Sequence, residues 1–314
     1  MATKNTRPKK RRKTLKTSSV RRIAHIINPV TVQMAYDEFV KLKEIMTCAK
    51  AKQTSARTTL GNNVVDAFTL RERLHTKGNQ GISFYEFWYH RKEYMRKPYV
   101  KKMLDFYKSR EIDDIRKFKY IYNLYFSSIS IFRPIVAIDI YCQVKAKRVL
   151  DFTMGWGGRL VGACALSLEA YYGIDSNKHL ETPYSEMVNM LTSVPGHKTS
   201  IHLQFKNALS VDYSKMDYDT VLTSPPYYDL EQYRGMPDFK TKEEWNETFY
   251  KPLILKTYEY LKKGGNYCLN VPETIYEDCC QPVLGKCTKK MALKKGERNI
   301  GGKYKEYIYI WEKN

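Results

Sequence analysis

The sequence predicts an α/β protein: a mostly parallel, doubly wound sheet that follows a mainly helical, basic N-terminal region. From residue 147 onward, short apolar runs alternate with helix-like runs, and this alternation is typical of parallel sheets covered by helices. Before that point, apolar residues recur at three- and four-residue spacing between Ile26 and Met46, as expected for amphipathic helices.

The positive charge of the 314-residue chain lies entirely in its first half. Residues 1–22 hold ten basic residues and no acidic one, residues 23–148 hold 23 basic and 12 acidic, and residues 149–314 hold 21 of each, for a total of +21. Such a split indicates a polyanionic partner beside a neutral body. We therefore expect a disordered basic arm (1–22), a mainly helical region for nucleic-acid recognition (23–130) and an α/β domain (131–314).

Composition also indicates where the protein works. No apolar segment follows the basic N-terminus as it would in a secretory signal, and the most apolar stretch, 125–142, contains Arg133, Pro134 and Asp139, which argues against a membrane span. The seven cysteines lack zinc-ligand spacing, so we expect no metal and reduced thiols. The predicted location is intracellular, either cytoplasmic or nuclear if the run Lys9–Lys13 acts as an address.

Within the helical region, aromatic and basic residues interleave between Phe84 and Lys92. One interpretation is that a helix buries Phe84, Phe87 and Trp88. The other is that Tyr85, Tyr89, Arg91 and Lys92 contact nucleic acid.

The α/β part is predicted to contain strands that end in polar residues. Strands are expected at 148–152, 171–175, 201–205, 219–223 and 266–271, helices at 160–170 and 243–261, and a β-rich end at 304–312. Ligands of such sheets bind at the carboxyl ends of the strands.

The first strand runs into a glycine turn, Asp151-Phe152-Thr153-Met154-Gly155-Trp156-Gly157. Gly155 and Gly157 allow a tight backbone turn and a close approach to a ligand, although Leu160 replaces the third glycine of a dinucleotide fingerprint. Asp175 follows about 20 residues later, where a carboxylate can bind ribose hydroxyls. The alternative for Asp175 is a helix N-cap.

The fourth strand ends in Ser224-Pro225-Pro226-Tyr227, 73 positions after Asp151. Two prolines fix φ and carry no N–H groups, so their carbonyls can accept hydrogen bonds. Ser224 adds an acceptor and Tyr227 a stacking face. Together these residues predict a site for a planar group with an exocyclic NH₂, whose protons bind Ser224 Oγ and the Pro225 carbonyl.

With these motifs in this order, residues 130–314 resemble the S-adenosylmethionine-dependent amino-methyltransferases of DNA, which modify adenine N6 or cytosine N4. The resemblance implies a Rossmann-like methyltransferase fold, S-adenosyl-L-methionine as cofactor and catalysis by Ser224, Pro225, Pro226 and Tyr227. It implies cofactor contacts from Asp151, Phe152, Thr153, Gly155, Gly157 and Asp175. It also adds Asn207, where the family usually has an acid, and Arg133 of a Phe-Arg-Pro segment similar to one that lines the methionine end.

The sequence leaves the substrate open. The leading hypothesis is methylation of a base flipped out of DNA, with Tyr228, Asp229 and Tyr233 as further candidates for the base pocket. The alternatives are an RNA or tRNA amino-methyltransferase and a catalytically silent nucleic-acid-binding subunit. The target base and the oligomeric state stay open.

Overall fold

The computed structural model describes residues 16–53, 58–127, 129–237, 239–293 and 307–314. The described strands are β1 (Lys77–Gly78), β2 (Arg148–Asp151), β3 (Ala170–Asp175), β4 (Ser200–Phe205), β5 (Thr220–Thr223), β6 (Glu231–Gln232), β7 (Asn266–Val271), β8 (Lys289–Ala292) and β9 (Tyr307–Glu312). The helices of the N-terminal half are α1 (Thr17–Ile27), α2 (Val32–Ile45), α3 (Cys48–Gln53), α4 (Asn62–Arg73), α5 (Phe84–Tyr89), α6 (Arg91–Tyr94), α7 (Pro98–Tyr107), α8 (Asp114–Tyr125) and α9 (Pro134–Gln143). Those of the C-terminal half are α10 (Gly158–Ala165), α11 (Glu181–Ser193), α12 (Lys242–Trp245), α13 (Lys251–Glu259), α14 (Glu273–Ile275) and α15 (Gln281–Leu284).

Seven strands form the central sheet, in the order β4-β3-β2-β5-β7-β9-β8. The five strands from β4 to β7 are parallel, whereas β9 is antiparallel to both β7 and β8. All residues of β5 and all but the first of β2 and β7 are buried, as expected for parallel strands covered on both faces. The predicted fold class, an α/β protein with a mostly parallel doubly wound sheet and a helical N-terminal region, is confirmed.

The helical region packs in two different ways. Phe39, Leu42 and Val64 of α2 and α4 share one core with Leu160 and Met187 of α10 and α11, against the sheet. A separate core joins residues of α1, α5, α7 and α8. The N-terminal helices are thus partly a cover of the sheet and partly a body of their own. The boundary at residue 130 stays an expectation.

Several local predictions differ from the structure. The helix expected at 160–170 ends at Ala165, because Ala170 already belongs to β3, and the helix expected at 243–261 contains a π-helical turn at Asn246–Tyr250. Helix α1 begins at Thr17, inside the segment 1–22 that was expected to be a disordered arm. Residues 1–15 of that arm, including Lys9–Lys13, lie outside the described residues.

The aromatic run of α5 mainly forms core. Phe84, Tyr85 and Phe87 are all at most 4% exposed, so the buried interpretation is confirmed for Phe84 and Phe87, and the alternative of a nucleic-acid contact by Tyr85 is wrong. A capping box between Ser83 and Glu86 begins the helix.

The expectation of reduced thiols is wrong for one pair. Cys48 of α3 and Cys142 of α9 form a disulfide, with their Cα atoms 5.3 Å apart. Their pairing depends on the packing of α3 against α9, which spacing in the sequence does not reveal. The five other cysteines are free. Among the described residues, no helix combines the length and hydrophobicity required to cross a bilayer.

Candidate functional site

The predicted site residues gather at the carboxyl ends of the parallel strands. Asp151 ends β2, Asp175 ends β3, Asn207 follows β4 by two residues, and Ser224 follows β5 directly. Neighbouring parallel strands bring these ends to one edge of the sheet. In the part of the chain that is described, no group of three His, Cys, Asp or Glu side chains is arranged to hold a metal ion.

The turn after β2 depends on its glycines. Gly155 and Gly157 have positive φ angles of 56° and 95°, and a Cβ on Gly157 would lie 2.9 Å from Met187 Cε. A Cβ on Gly158 would lie only 1.8 Å from the carbonyl oxygen of Phe132. The segment Phe132-Arg133-Pro134 therefore lies directly against the glycine turn.

The Asp151 carboxylate is buried at the centre of this edge and is 0% exposed. Its Oδ2 accepts hydrogen bonds from Arg159 Nε and the Tyr171 hydroxyl, both at 2.6 Å, and its Oδ1 accepts one from Thr223 Oγ1 at 2.8 Å. Burial and the Asp151 carboxylate raise the pKa of Tyr171 well above its ordinary value. The Tyr171 hydroxyl therefore keeps its proton and donates a hydrogen bond to Asp151. One carboxylate thus connects β2, β3, β5 and α10.

The glycine turn is in direct contact with the turn Ser224–Tyr227, which the resemblance predicts to be catalytic and which is called the catalytic turn below. Thr153 Oγ1 lies 2.6 Å from Thr223 Oγ1, and Arg159 Nη2 donates to the Thr153 carbonyl at 2.6 Å. Phe152 is only 2% exposed and packs into the core below the turn. Thr223 immediately precedes Ser224, so the position of the catalytic turn is tied to that of the glycine turn.

Asp175 faces the glycine turn from the end of β3. Its Oδ2 accepts a hydrogen bond from Gly155 N at 2.9 Å, and its Oδ1 accepts one from Asn177 N at 2.8 Å. Burial raises the pKa of this carboxyl to about 6. The bond to Asn177 closes a local turn and is not the helix N-cap of the alternative interpretation, since Asn177 itself caps the following 3₁₀ helix. The bond to Gly155 is a contact with the glycine turn. Each oxygen can accept a second hydrogen bond.

Asn207 has a local hydrogen-bond partner, and Arg133 has a partner that is distant in the sequence. Asn207 is exposed, and its Oδ1 caps the following 3₁₀ turn by accepting from Leu209 N at 3.0 Å. Arg133 precedes α9, and its Nη1 donates to the Thr58 carbonyl at 3.2 Å. Burial lowers the pKa of Arg133.

The catalytic turn is held by a residue that the sequence analysis missed. Asn270, near the end of β7, is only 4% exposed. Its Oδ1 accepts hydrogen bonds from Ser224 Oγ at 3.2 Å and from the Tyr227 hydroxyl at 2.9 Å, and its Nδ2 donates to the Tyr307 carbonyl at 3.0 Å. Ser224 Oγ and the Tyr227 hydroxyl are also 3.0 Å apart. The available signal was an amide that follows the apolar residues 267–269 inside the predicted strand.

The two proline carbonyls differ. The Pro226 carbonyl accepts a hydrogen bond from the Tyr250 hydroxyl, whereas no described residue donates one to the Pro225 carbonyl. Tyr228 adopts a positive φ of 51°, and its hydroxyl donates to Asn246 Oδ1 at 2.9 Å. Tyr228 is 7% exposed and therefore belongs to the wall of the site rather than its surface.

The chain after Tyr228 crosses the site. The Tyr233 ring lies 5.7 Å from the Trp156 ring in the glycine turn, and a Cβ on Gly235 would lie 2.8 Å from the Ser176 carbonyl oxygen. Residues 230–236, here called the covering segment, therefore extend from the end of β5 to the end of β3. The side chain of Asp229 lies outside the description.

The N-terminal helices hold the covering segment in place. Strand β1 pairs with β6 inside this segment. Glu72 of α4 accepts from Asn177 Nδ2 at 3.1 Å and lies 3.4 Å from Arg234 Nε. These contacts join residues more than 100 positions apart, and no local pattern in the sequence indicated them.

No family model and no curated protein matches the chain. Solved structures with similar folds include TrmN from Thermus thermophilus, with 17% identity over 58% of this chain and 49% of that one and a TM-score of 0.40. An rRNA methylase from Streptococcus thermophilus has 16% identity over 59% of this chain and 99% of that one, with a TM-score of 0.38. NSun6 from Pyrococcus horikoshii has 14% identity over 62% of this chain and 55% of that one, with a TM-score of 0.40. The matched region thus spans about half the length of TrmN.

Proposed function

We propose that the protein is an S-adenosyl-L-methionine-dependent methyltransferase acting on the exocyclic amine of a base, cytosine N4 or adenine N6, flipped out of DNA. The observation that supports this proposal most directly is the contact between the two turns, with Thr153 Oγ1 2.6 Å from Thr223 Oγ1. A cofactor bound by the glycine turn and a base bound by Ser224-Pro225-Pro226-Tyr227 would be neighbours.

The residues of the glycine turn fit this cofactor. A Cβ on Gly155 would have only the Thr153 carbonyl oxygen nearby, at 3.8 Å, so the backbone here borders open space. Asp175 retains acceptor capacity for two ribose hydroxyls. Gly155, Gly157 and Asp175 would hold the cofactor, Asp151 would position the turn, and Arg133 and Asn207 would flank it. When bound, the cofactor supplies an electrophilic methyl group.

The catalytic turn can prepare an amine for attack on that methyl group. Because Ser224 Oγ donates its own hydrogen to Asn270 Oδ1, its lone pairs can accept a hydrogen bond from the amine. The Pro225 carbonyl supplies a second acceptor. Both bonds draw the amine protons away from the ring plane, which frees the nitrogen lone pair, and fixed positioning supplies the proximity effect.

Tyr227 suits the extruded base. Flipping costs a few kcal/mol, and stacking on an aromatic ring returns about 1–3 kcal/mol. The hydroxyl of Tyr227 lies 3.0 Å from the Asn270 carbonyl oxygen and 2.9 Å from Asn270 Oδ1, which share its one hydrogen, so the ring is oriented before the base arrives.

Two substitutions test the proposal. Ser224→Ala and Tyr227→Ala should each lose methyl transfer while retaining cofactor binding by calorimetry. The control is Ser193→Ala on α11, whose hydroxyl donates to the Met190 carbonyl of the same helix. Labelled cofactor is incubated with separate DNA and RNA pools, and the nucleosides are analysed by mass spectrometry. Full activity in both variants refutes the assignment. Methylation of RNA but not of DNA would establish the RNA amino-methyltransferase. Absence of cofactor binding would establish the catalytically silent nucleic-acid-binding subunit.

A further inference from the structure

Helices α7 and α8 form a surface rich in exposed aromatic rings. The Tyr99 ring lies 4.7 Å from the Tyr125 ring, and the Tyr107 ring lies 5.7 Å from the Tyr120 ring. The start of α7 therefore faces the end of α8, and the helices run antiparallel. We call the surface formed by Tyr99, Phe106, Tyr107, Tyr120 and Tyr125 the tyrosine face.

These rings are unusually accessible. Tyr99 is 37% exposed, Phe106 54%, Tyr120 46% and Tyr125 39%. Of the twelve large hydrophobic residues exposed among the described residues, seven lie between positions 89 and 125. Val100 is the only buried residue of α7. A concentration of apolar surface on one pair of helices marks an interaction site.

The charge around the tyrosine face is strongly positive. Residues 91–110 contain eight basic and two acidic residues, a net charge of +6. Seven of the basic side chains are exposed, and none of the seven forms an ion pair with a described residue: Lys92, Arg96, Lys97, Lys101, Lys102, Lys108 and Arg110. Arg110 Cζ lies 4.6 Å from the Phe106 ring centre. These charges are available to an anionic partner.

We propose that the tyrosine face binds an unpaired stretch of nucleic-acid strand. Exposed rings beside unpaired basic groups match a polymer with flat, accessible faces and a regular negative charge. A duplex supplies the charge but keeps its base faces stacked inside. From Tyr99 to Tyr107 the helix rises roughly 12 Å, which accommodates about three stacked bases at 3.4 Å each.

The location of this face connects it with the candidate active site. The core beneath α7 and α8 also contains Phe84 and Tyr85 of α5, and β1, just before α5, pairs with β6 in the covering segment. The inference rests on the proposed function in one respect only, namely that the bound strand is taken to be part of the methylated substrate. Because flipping is cheapest for a base that is already unpaired, such a site would favour substrates with melted or single-stranded segments.

Direct binding without cofactor tests the proposal. The aromatic variant replaces Tyr99, Phe106 and Tyr120 by Ser, the charge variant replaces Lys101 and Lys102 by Gln, and the control replaces the exposed Tyr260 and Lys263 by Ser and Gln. The probes are labelled oligothymidine, oligouridine, a DNA duplex and vesicles of anionic phospholipid. Thermal melting verifies that each variant folds, as expected for exposed positions.

The aromatic variant should bind oligothymidine at least about tenfold more weakly, the loss of one stacked base, with duplex affinity changed less than about threefold. The charge variant should bind both oligothymidine and the duplex more weakly. It should also reduce the log–log slope of oligothymidine affinity against salt concentration by about 1.4, the value for two phosphates. The control should match the wild type. Because binding is measured without cofactor, the result does not depend on the proposed catalysis. Comparing the affinities for oligothymidine and oligouridine identifies whether the bound strand is DNA or RNA.

Three results would overturn the proposal. One is unchanged oligonucleotide binding by the aromatic variant. Another is an equal loss on duplex, which would indicate phosphate contacts alone. The last is vesicle binding that the aromatic variant loses, which would make the tyrosine face a membrane-surface site.

Discussion

Replacing Asn270 by alanine removes the side chain that orients both polar groups of the catalytic turn. Asn270 Oδ1 accepts from Ser224 Oγ at 3.2 Å and from the Tyr227 hydroxyl at 2.9 Å. A neutral hydrogen bond contributes about 1 kcal/mol. The main-chain carbonyl of residue 270, 3.0 Å from the Tyr227 hydroxyl, remains in the variant, so the loss is about 1 kcal/mol and falls mainly on Ser224. If Ser224 acts only when oriented, kcat should fall about fivefold, with cofactor affinity unchanged.

The assay compares kcat and KM at saturating cofactor with cofactor Kd from calorimetry. Thr257→Val is the matched control, because Thr257 is also fully buried and its Oγ1 lies 2.6 Å from the hydroxyl of Tyr267, another β7 residue. That variant should lose stability without losing kcat. Asn270→Asp retains an acceptor for both hydroxyls, so its kcat should lie between those of the wild type and Asn270→Ala. A folded Asn270→Ala enzyme with kcat within about twofold of wild type would refute the reasoning.

Three further perturbations have expected outcomes. Burial raises the pKa of Asp175 to about 6, so the carboxylate that we propose as acceptor of the ribose hydroxyls is protonated below that pH. Cofactor Kd from calorimetry should rise about tenfold per pH unit there, and Asp175→Asn should bind weakly at every pH. Removing residues 1–15, which hold seven basic residues and no acidic one, should lower the duplex salt slope by up to about 6; an unchanged slope would assign the arm another role. Reducing the Cys48–Cys142 disulfide, which joins positions 94 residues apart, should lower the free energy of unfolding by about 2–4 kcal/mol, and identical denaturation curves with and without reductant would contradict this.

The strands and the order of the motifs were predictable because their signals are local. Strands β2, β5 and β7 are buried on both faces and therefore appear as short apolar runs. The glycine turn and Ser224–Tyr227 each lie within a few residues of a strand end, which is where parallel sheets bind ligands.

What the sequence did not reveal depends on distant partners. Thr17–Arg22 carry the composition of a solvated tail, yet α1 is helical because Ile23 and Ala24 are buried in the core that also contains α8 residues. Asn270 is one amide among apolar residues, and its role depends on a turn 46 positions earlier. Such contacts are set by tertiary packing, which overrides local propensity.

The buried position of Asp151 changes how the two motifs relate to each other. A carboxylate without solvent exposure must be compensated by donors, and its donors come from Arg159, Tyr171 and Thr223. Thr223 adjoins Ser224, and Arg159 also binds the Thr153 carbonyl. A displacement of the glycine turn would therefore be transmitted to the catalytic turn through one group. The proposed reaction requires a methyl donor and an amine to be aligned, and such a connection would fix the relative position of the two proposed binding sites, which neither turn could determine alone.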